Sequence, residues 1–173
     1  MPMMTLLPED DALVHPDWTA NGETELWQCL DDNNDDTSYA ECFVDGRRFI
    51  ILYTDPSVSE GDIDTIDSVQ FISSGRCPAR GSGGSDLIIR FQTPSGHDET
   101  LNYFNNANYE SESGIIRETK PDGSDWEYSD IEGITTRCQK VGAATVRLSY
   151  LALKVTYTEA AAADNATFFG ANF

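Results

Sequence analysis

The chain has 173 residues, a length that suits one domain able to bury its own core, and 39% of them are hydrophobic, too many for a disordered acidic tail. Against 30 Asp and Glu stand 11 Lys and Arg, a formal net charge of -19. That balance repels phosphate backbones and anionic lipid, so no nucleic acid and no membrane surface is expected as a partner. No apolar run approaches the length that crosses a bilayer, and the start, Met1-Pro-Met-Met-Thr-Leu-Leu-Pro8, has neither the basic nor the long apolar region of a secretory signal.

Residues 1–16 show no periodicity, and prolines at 2, 8 and 16 keep the backbone extended, so they are expected as an N-terminal arm outside the folded layers. The folded body is expected over residues 17–158, with Trp18 anchoring its core near the first strand. Residues 23–36, ETELWQCLDDNNDD, place an apolar patch of Leu26, Trp27 and Leu30 before an acidic cluster. Carboxylates and carboxamides packed this closely are the hard oxygen donors that Ca²⁺ takes, which makes Asp31, Asn33, Asp35 and Asp36 the candidate metal ligands. The loop is not an EF-hand, because Asp36 stands at the position of the turn glycine and Cys42 at that of the bidentate glutamate. A solvated connection between strands has the same composition, so the expectation is no cofactor, or Ca²⁺ at this loop.

Residues 38–44 and 47–53 read as strands around the turn Asp45-Gly46, paired with each other or with the second lying deep in a sandwich. A further strand is expected from Ile66, Val69, Phe71 and Ile72, then a glycine- and serine-rich loop over 78–85, then the short strand 87–91. That loop is no phosphate cradle, since no G-K-[ST] ends it. Segments 99–104 and 113–120 are expected to pair around an Asn-rich loop, and 131–140 forms the penultimate strand. In the loop between them, Trp126 and Tyr128 are expected to cap one end of the core. The last strand organises the rest: Val146, Leu148 and Tyr150 alternate with polar residues, and Leu151, Leu153, Val155 and Tyr157 continue on the other parity. One parity change inside a long strand is what a β-bulge, or burial on both faces, produces.

Cys29, Cys42, Cys77 and Cys138 are widely spaced with no C-x-x-C pair and read as buried thiols. His15 and His97 have no nucleophile setting around them, and no catalytic motif occurs, so no enzyme is expected. The tail, 159–173, carries Phe168, Phe169 and Phe173, which are costly to leave in water. With Leu6 and Leu7 of the N-terminal arm they are the candidate partner contacts.

Many short strands with turn signals and almost no helical periodicity predict an all-β fold, an antiparallel β-sandwich with jelly-roll topology first and an immunoglobulin-like sandwich second. The order of Trp18, the 30–39 acidic stretch, Ile66-Asp-Ser-Val69, Pro121-Asp-Gly-Ser-Asp-Trp126 with Ile131-Glu-Gly-Ile134, and 146–157 resembles jelly-roll domains of tailed-phage virion structural proteins. Cys42 and Phe43 depart from it, standing where that family often has a basic or neutral strand. The resemblance implies a capsid decoration (cement) protein on the outer surface of the virion. Such a protein is a homotrimer or other homo-oligomer and clamps neighbouring subunits of the major capsid protein. The alternative is a tail- or fibre-associated binding module, a carbohydrate-binding-like jelly roll with Trp18, Trp27 or Trp126 as stacking platforms.

Overall fold

The structure, a computed structural model, describes residues 1–31, 37–77, 85–93, 96–104 and 106–161; for 85–87, 89–93, 96–103 and 112 it describes the strand course and not the side chains. The strands are β1 (Met3–Leu6), β2 (Pro8–Val14), β3 (Trp18–Asn21), β4 (Tyr39–Cys42), β5 (Arg48–Tyr53), β6 (Ile63–Arg76), β7 (Ser85–Thr93), β8 (Gly96–Phe104), β9 (Glu110–Ser113), β10 (Thr135–Val141) and β11 (Val146–Glu159). One short helix, α1 (Tyr128–Glu132), and 3-10 turns at Trp27–Leu30 and Glu60–Asp62 complete the described elements.

Two antiparallel sheets face each other. One runs β3-β4-β11-β6-β9, with β1 pairing β11 as well; the other runs β2-β5-β10-β7-β8. The chain changes sheet at almost every connection, so the all-β antiparallel sandwich is of jelly-roll type. Alternation explains the core between them: Phe49, Ile51 and Tyr53 on β5, Val69 and Phe71 on β6, and Cys138 on β10 point inward, and their sequence neighbours do not. Each fully buried Leu, Val or Phe contributes roughly 1.5–3 kcal/mol from apolar burial.

β11 is the axis of the first sheet, flanked by β6 on one side and by β4 and then β1 on the other. Its parity does change, through a register shift between Leu148 and Tyr150. Val146 and Leu148 face inward before the shift, and Leu151, Leu153, Val155 and Tyr157 after it. Tyr150, read from the sequence as part of the apolar row, falls at the shift and is half-buried.

Three expectations are corrected, and one left open between two readings is resolved. Residues 1–16 are extended but are not an arm: β1 pairs residues 153–156 of β11, and β2 pairs β5, so this segment closes an edge of each sheet. The prolines that suggested an arm fall at strand boundaries, where a missing N–H costs no ladder bond. Of the two readings of 38–44 and 47–53 the second holds: β4 and β5 lie in different sheets, β5 sits between β2 and β10 with Phe49, Ile51 and Tyr53 buried, and the turn at Asp45-Gly46 closes no hairpin. Its backbone groups go to β10 instead: Gly46 N–H donates to Lys140 O at 2.9 Å, and Lys140 N–H to Arg47 O at 2.9 Å. Segments 99–104 and 113–120 do not pair either: 99–104 lies in β8 against β7, whereas Gly114 N–H donates to Phe71 O and Arg117 forms an isolated bridge with Val69, both on β6. Finally, residues 131–134 precede strand β10 and are not part of it. Glu127 caps α1, its side chain reciprocated by that of Asp130, and the Asp130 carboxylate also takes the half-buried Lys120 ammonium at 2.9 Å.

Among the described residues, no helix is long and apolar enough to cross a membrane.

Candidate functional site

The expected site residues are not brought together. Asp31 is exposed and forms an isolated bridge with Tyr150. Asn33, Asp35 and Asp36, with the rest of the Ca²⁺ loop, lie outside the described residues, as do Phe168, Phe169 and Phe173. Among the described residues no group of three or more His, Cys, Asp or Glu is placed to hold a metal.

Leu6, expected as a partner contact, is 1% exposed in the core against β11 and is corrected to a core residue. Leu7 is half-buried, its carbonyl accepting from Thr54 N–H at 3.0 Å. Two of the three tryptophans are likewise interior: Trp18 meets Phe49 edge-on at 4.7 Å, and Trp126 donates from Nε1 to Arg117 O at 3.0 Å. Trp27 is half-buried against the core. The four cysteines are buried free thiols, and burial pushes Cys138 well above the ordinary thiol range.

What the structure assembles instead is a row on the outer face of the first sheet, toward the end where β11 begins. Alternation builds it, because Ala40, Cys42, Val146 and Leu148 face the core, which turns Tyr39, Glu41 and Arg147 outward. Register then aligns them: Arg147 stands opposite Glu41 on β4 and opposite Arg76 on β6. Glu41 Oε2 accepts a hydrogen bond from Arg147 Nε in an ion pair, each side chain about a quarter exposed. The Arg147 guanidinium lies 4.4 Å from the centroid of the Tyr39 ring. Arg76 repeats the arrangement with another partner, lying 5.0 Å from the Tyr109 ring centroid and donating from Nη1 to Ala107 O at 3.2 Å.

The arrangement is stiff. A planar guanidinium held by a ring below and a carboxylate beside it has few rotamers left. Burial pulls the Arg147 pKa down, and the hydrogen bond and charge of Glu41 more than offset it, so the group stands above its ordinary value. Gly75 lets the strands close here, since a Cβ at that position would lie 2.9 Å from Arg147 O and 3.0 Å from the Phe104 ring. At the rim, Glu110 pairs with Gly75 on one side, and Thr19 pairs with Glu41 on the other, its hydroxyl donating to Glu41 O at 3.4 Å.

Sequence reasoning missed all five of these residues. The alternation that exposes Tyr39, Glu41 and Arg147 is visible in the sequence. Which strands lie side by side is not, and Arg76 and Tyr109 join the row only through that neighbourhood. The outer face of the second sheet carries half-buried Ile50, Leu52, Arg137 and Gln139, with Arg137 donating from Nη2 to Gln139 Oε1 at 3.4 Å.

No protein-family model matches the chain, and no curated protein matches it. Among solved structures, the chain is similar to a family 16 carbohydrate-binding module (10% identity over 79% of this chain and 84% of that chain, TM-score 0.43). It is also similar to the C-terminal CBM6 of LamC from Zobellia galactanivorans (7% identity, 90% and 99% covered, TM-score 0.47). A third is the CBM22-1 xylan-binding domain of Paenibacillus barcinonensis Xyn10C (13% identity, 88% and 98% covered, TM-score 0.44).

Proposed function

We propose that the chain is a non-catalytic binding module that takes a polyhydroxylated ligand, a glycan, on the outer face of the first sheet. The observation that carries this reading is the row Glu41, Arg147, Arg76, with Tyr39 and Tyr109 holding the two guanidiniums. Guanidinium and carboxylate side by side offer fixed donors and acceptors, and neighbouring sugar hydroxyls need both. A guanidinium whose pKa stands above its ordinary value keeps its protons, so it suits binding and not proton transfer.

The reading as a capsid decoration protein that clamps the major capsid protein, as a homotrimer or other oligomer, came from the resemblance to virion jelly rolls and drew on a strongly acidic single domain with two free arms. With β1 and β2 in the sheets and Leu6 in the core, the N-terminal half of that support is gone. The phenylalanines of the tail still favour it.

Glycan-array screening followed by calorimetry of the intact chain and of Arg147→Ala tests the proposal. The expected result is saturable glycan binding that the substitution weakens at least about tenfold, equivalent to ~1.4 kcal/mol. Absence of any glycan binding, with co-sedimentation on a protein shell, would replace it with the capsid reading.

A further inference from the structure

Asn or Asp precedes glycine at Asn21-Gly22, Asp45-Gly46 and Asp122-Gly123. Glycine puts no side chain in the way of its own nitrogen, so that nitrogen can attack the preceding side chain and close a five-membered imide. A fold permits this when the glycine N–H is not committed to an acceptor and the side chain before it is free to turn back.

Two of the pairs are locked on both counts. Gly46 N–H donates to Lys140 O at 2.9 Å, while Asp45 Oδ1 accepts from Gly142 N–H at 3.0 Å. Gly123 N–H donates to Lys120 O at 2.9 Å, and Asp122 Oδ1 accepts from the Ser124 N–H at 2.9 Å and its hydroxyl at 2.7 Å. At Asn21-Gly22 both locks are absent. The ladder of β3 ends at Asn21, opposite Tyr39, and no group among the described residues accepts the Gly22 N–H. The Asn21 carboxamide is held by one bond, from Nδ2 to Thr19 O at 3.4 Å, longer than the usual range of about 2.7–3.2 Å. Both residues are half-buried at the end of an edge strand, within reach of water.

We propose that Asn21 is a site of spontaneous deamidation in the folded protein. The Gly22 nitrogen gives up its proton to hydroxide and bonds to Asn21 Cγ; the Cγ–Nδ2 bond breaks, and Nδ2 leaves as ammonia. Water then opens the succinimide at either carbonyl, which leaves aspartate or isoaspartate. No oxidant or reductant takes part.

Either product adds a carboxylate to the outer face of the first sheet, because Trp18 and Ala20 pack on the core and Asn21 alternates with them. Its register partner is Tyr39, the ring beneath Arg147. The isoaspartyl product also lengthens the main chain by one carbon where space is tightest: a Cβ on Gly22 would lie 2.0 Å from Thr37 O. Loosening of β3 from β4 should follow. None of this depends on the ligand of the arginine row.

The test is peptide mapping by mass spectrometry of the intact chain, incubated at pH 8.5 and 37 °C both folded and in denaturant. The peptide that holds Asn21 is expected to gain about 1 Da before any other asparagine reacts, as a mixture of aspartyl and isoaspartyl forms. The folded rate should lie within about tenfold of the unfolded one, ~1.4 kcal/mol on the barrier. Asn21→Gln, which would need a six-membered ring, should remain unmodified over the same time. At pH 6, isoaspartate at Asp45 and Asp122 should form at least about tenfold more slowly in the folded chain than in denaturant. Modification of Asn21 only in denaturant would overturn the proposal, and so would aspartate with no isoaspartate, the mark of direct hydrolysis without the imide.

Discussion

Arg147 occupies a position that few other residues could fill. It must present a plane to Tyr39, an edge to Glu41 and a charge beside Arg76, and lysine offers only a point charge on a flexible stem. Arg147→Lys should therefore cost binding far more than stability. The ion pair is partly exposed and contributes about 1 kcal/mol at most, so thermal unfolding should shift by no more than roughly 2–4 °C while glycan affinity falls about tenfold.

Asp11 gives a second residue-scale expectation. Its Oδ2 accepts from Leu26 N–H at 3.0 Å and ties β2 to the 3-10 turn at Trp27–Leu30, and burial raises its pKa above the ordinary carboxylate value. A carboxyl whose folded pKa is raised stabilises the fold when protonated. That contribution is present at low pH and is lost as pH climbs through the ordinary value to the raised one. Asp11→Asn keeps the acceptor without the charge, so its melting temperature should equal or exceed the parent's at pH 7, with the difference vanishing below about pH 3.8. Asp11→Ala, which loses the acceptor, should melt lower at every pH. A pH-independent loss in the Asn variant would contradict this account.

β1 is the element where sequence and structure part most clearly. Its four residues, Met-Met-Thr-Leu, are too few to show a period, and the prolines around them read as an unpaired segment. Pairing with β11 is a long-range contact that no local pattern announces. The same holds for β4 and β5, which pair with β11 and β10 and not with each other. Their strand character was legible from two apolar runs around a turn signal, but the choice of sheet depends on which backbone groups remain unpaired once the long strands have met. β11 lies at the other extreme, because fourteen residues with one parity change foretold both the strand and its irregularity. The assignment of β1 can be checked directly. Leu6→Ala should destabilise the domain by about 2–5 kcal/mol, a drop of roughly 5–15 °C in melting temperature, whereas an unpaired arm would register nothing.

The edges of the sandwich carry features that disfavour strand pairing between copies. β9, at one edge of the first sheet, reads Glu-Ser-Glu-Ser, and β2, at one edge of the second, carries Glu9, Asp10 and Asp11 and has two register shifts. Like charges and irregular registers both discourage edge-to-edge strand pairing.

At the scale of the whole molecule, the four cysteines report on integrity. All are buried, and the Cys29, Cys42 and Cys138 thiols are held above their ordinary pKa by burial. A disulfide-exchange reagent at pH 8 should therefore label none of the four in the native protein within minutes, and all of them in denaturant. Fast labelling of even one under native conditions would mean that the two sheets part more readily than the packed core allows.

The central claim is that this acidic sandwich works through the arginine row on the outer face of its first sheet. The most direct measurement is an NMR titration of ¹⁵N-labelled chain with a neutral β-linked oligosaccharide, following the backbone amides and the arginine Nε–H signals. The account predicts saturable shifts of Arg76 and Arg147 Nε–H together with amides of β4 and of the adjoining ends of β6 and β11. Shifts confined to Arg137 and Gln139 on the second sheet, or no shifts at any ligand concentration, would contradict it.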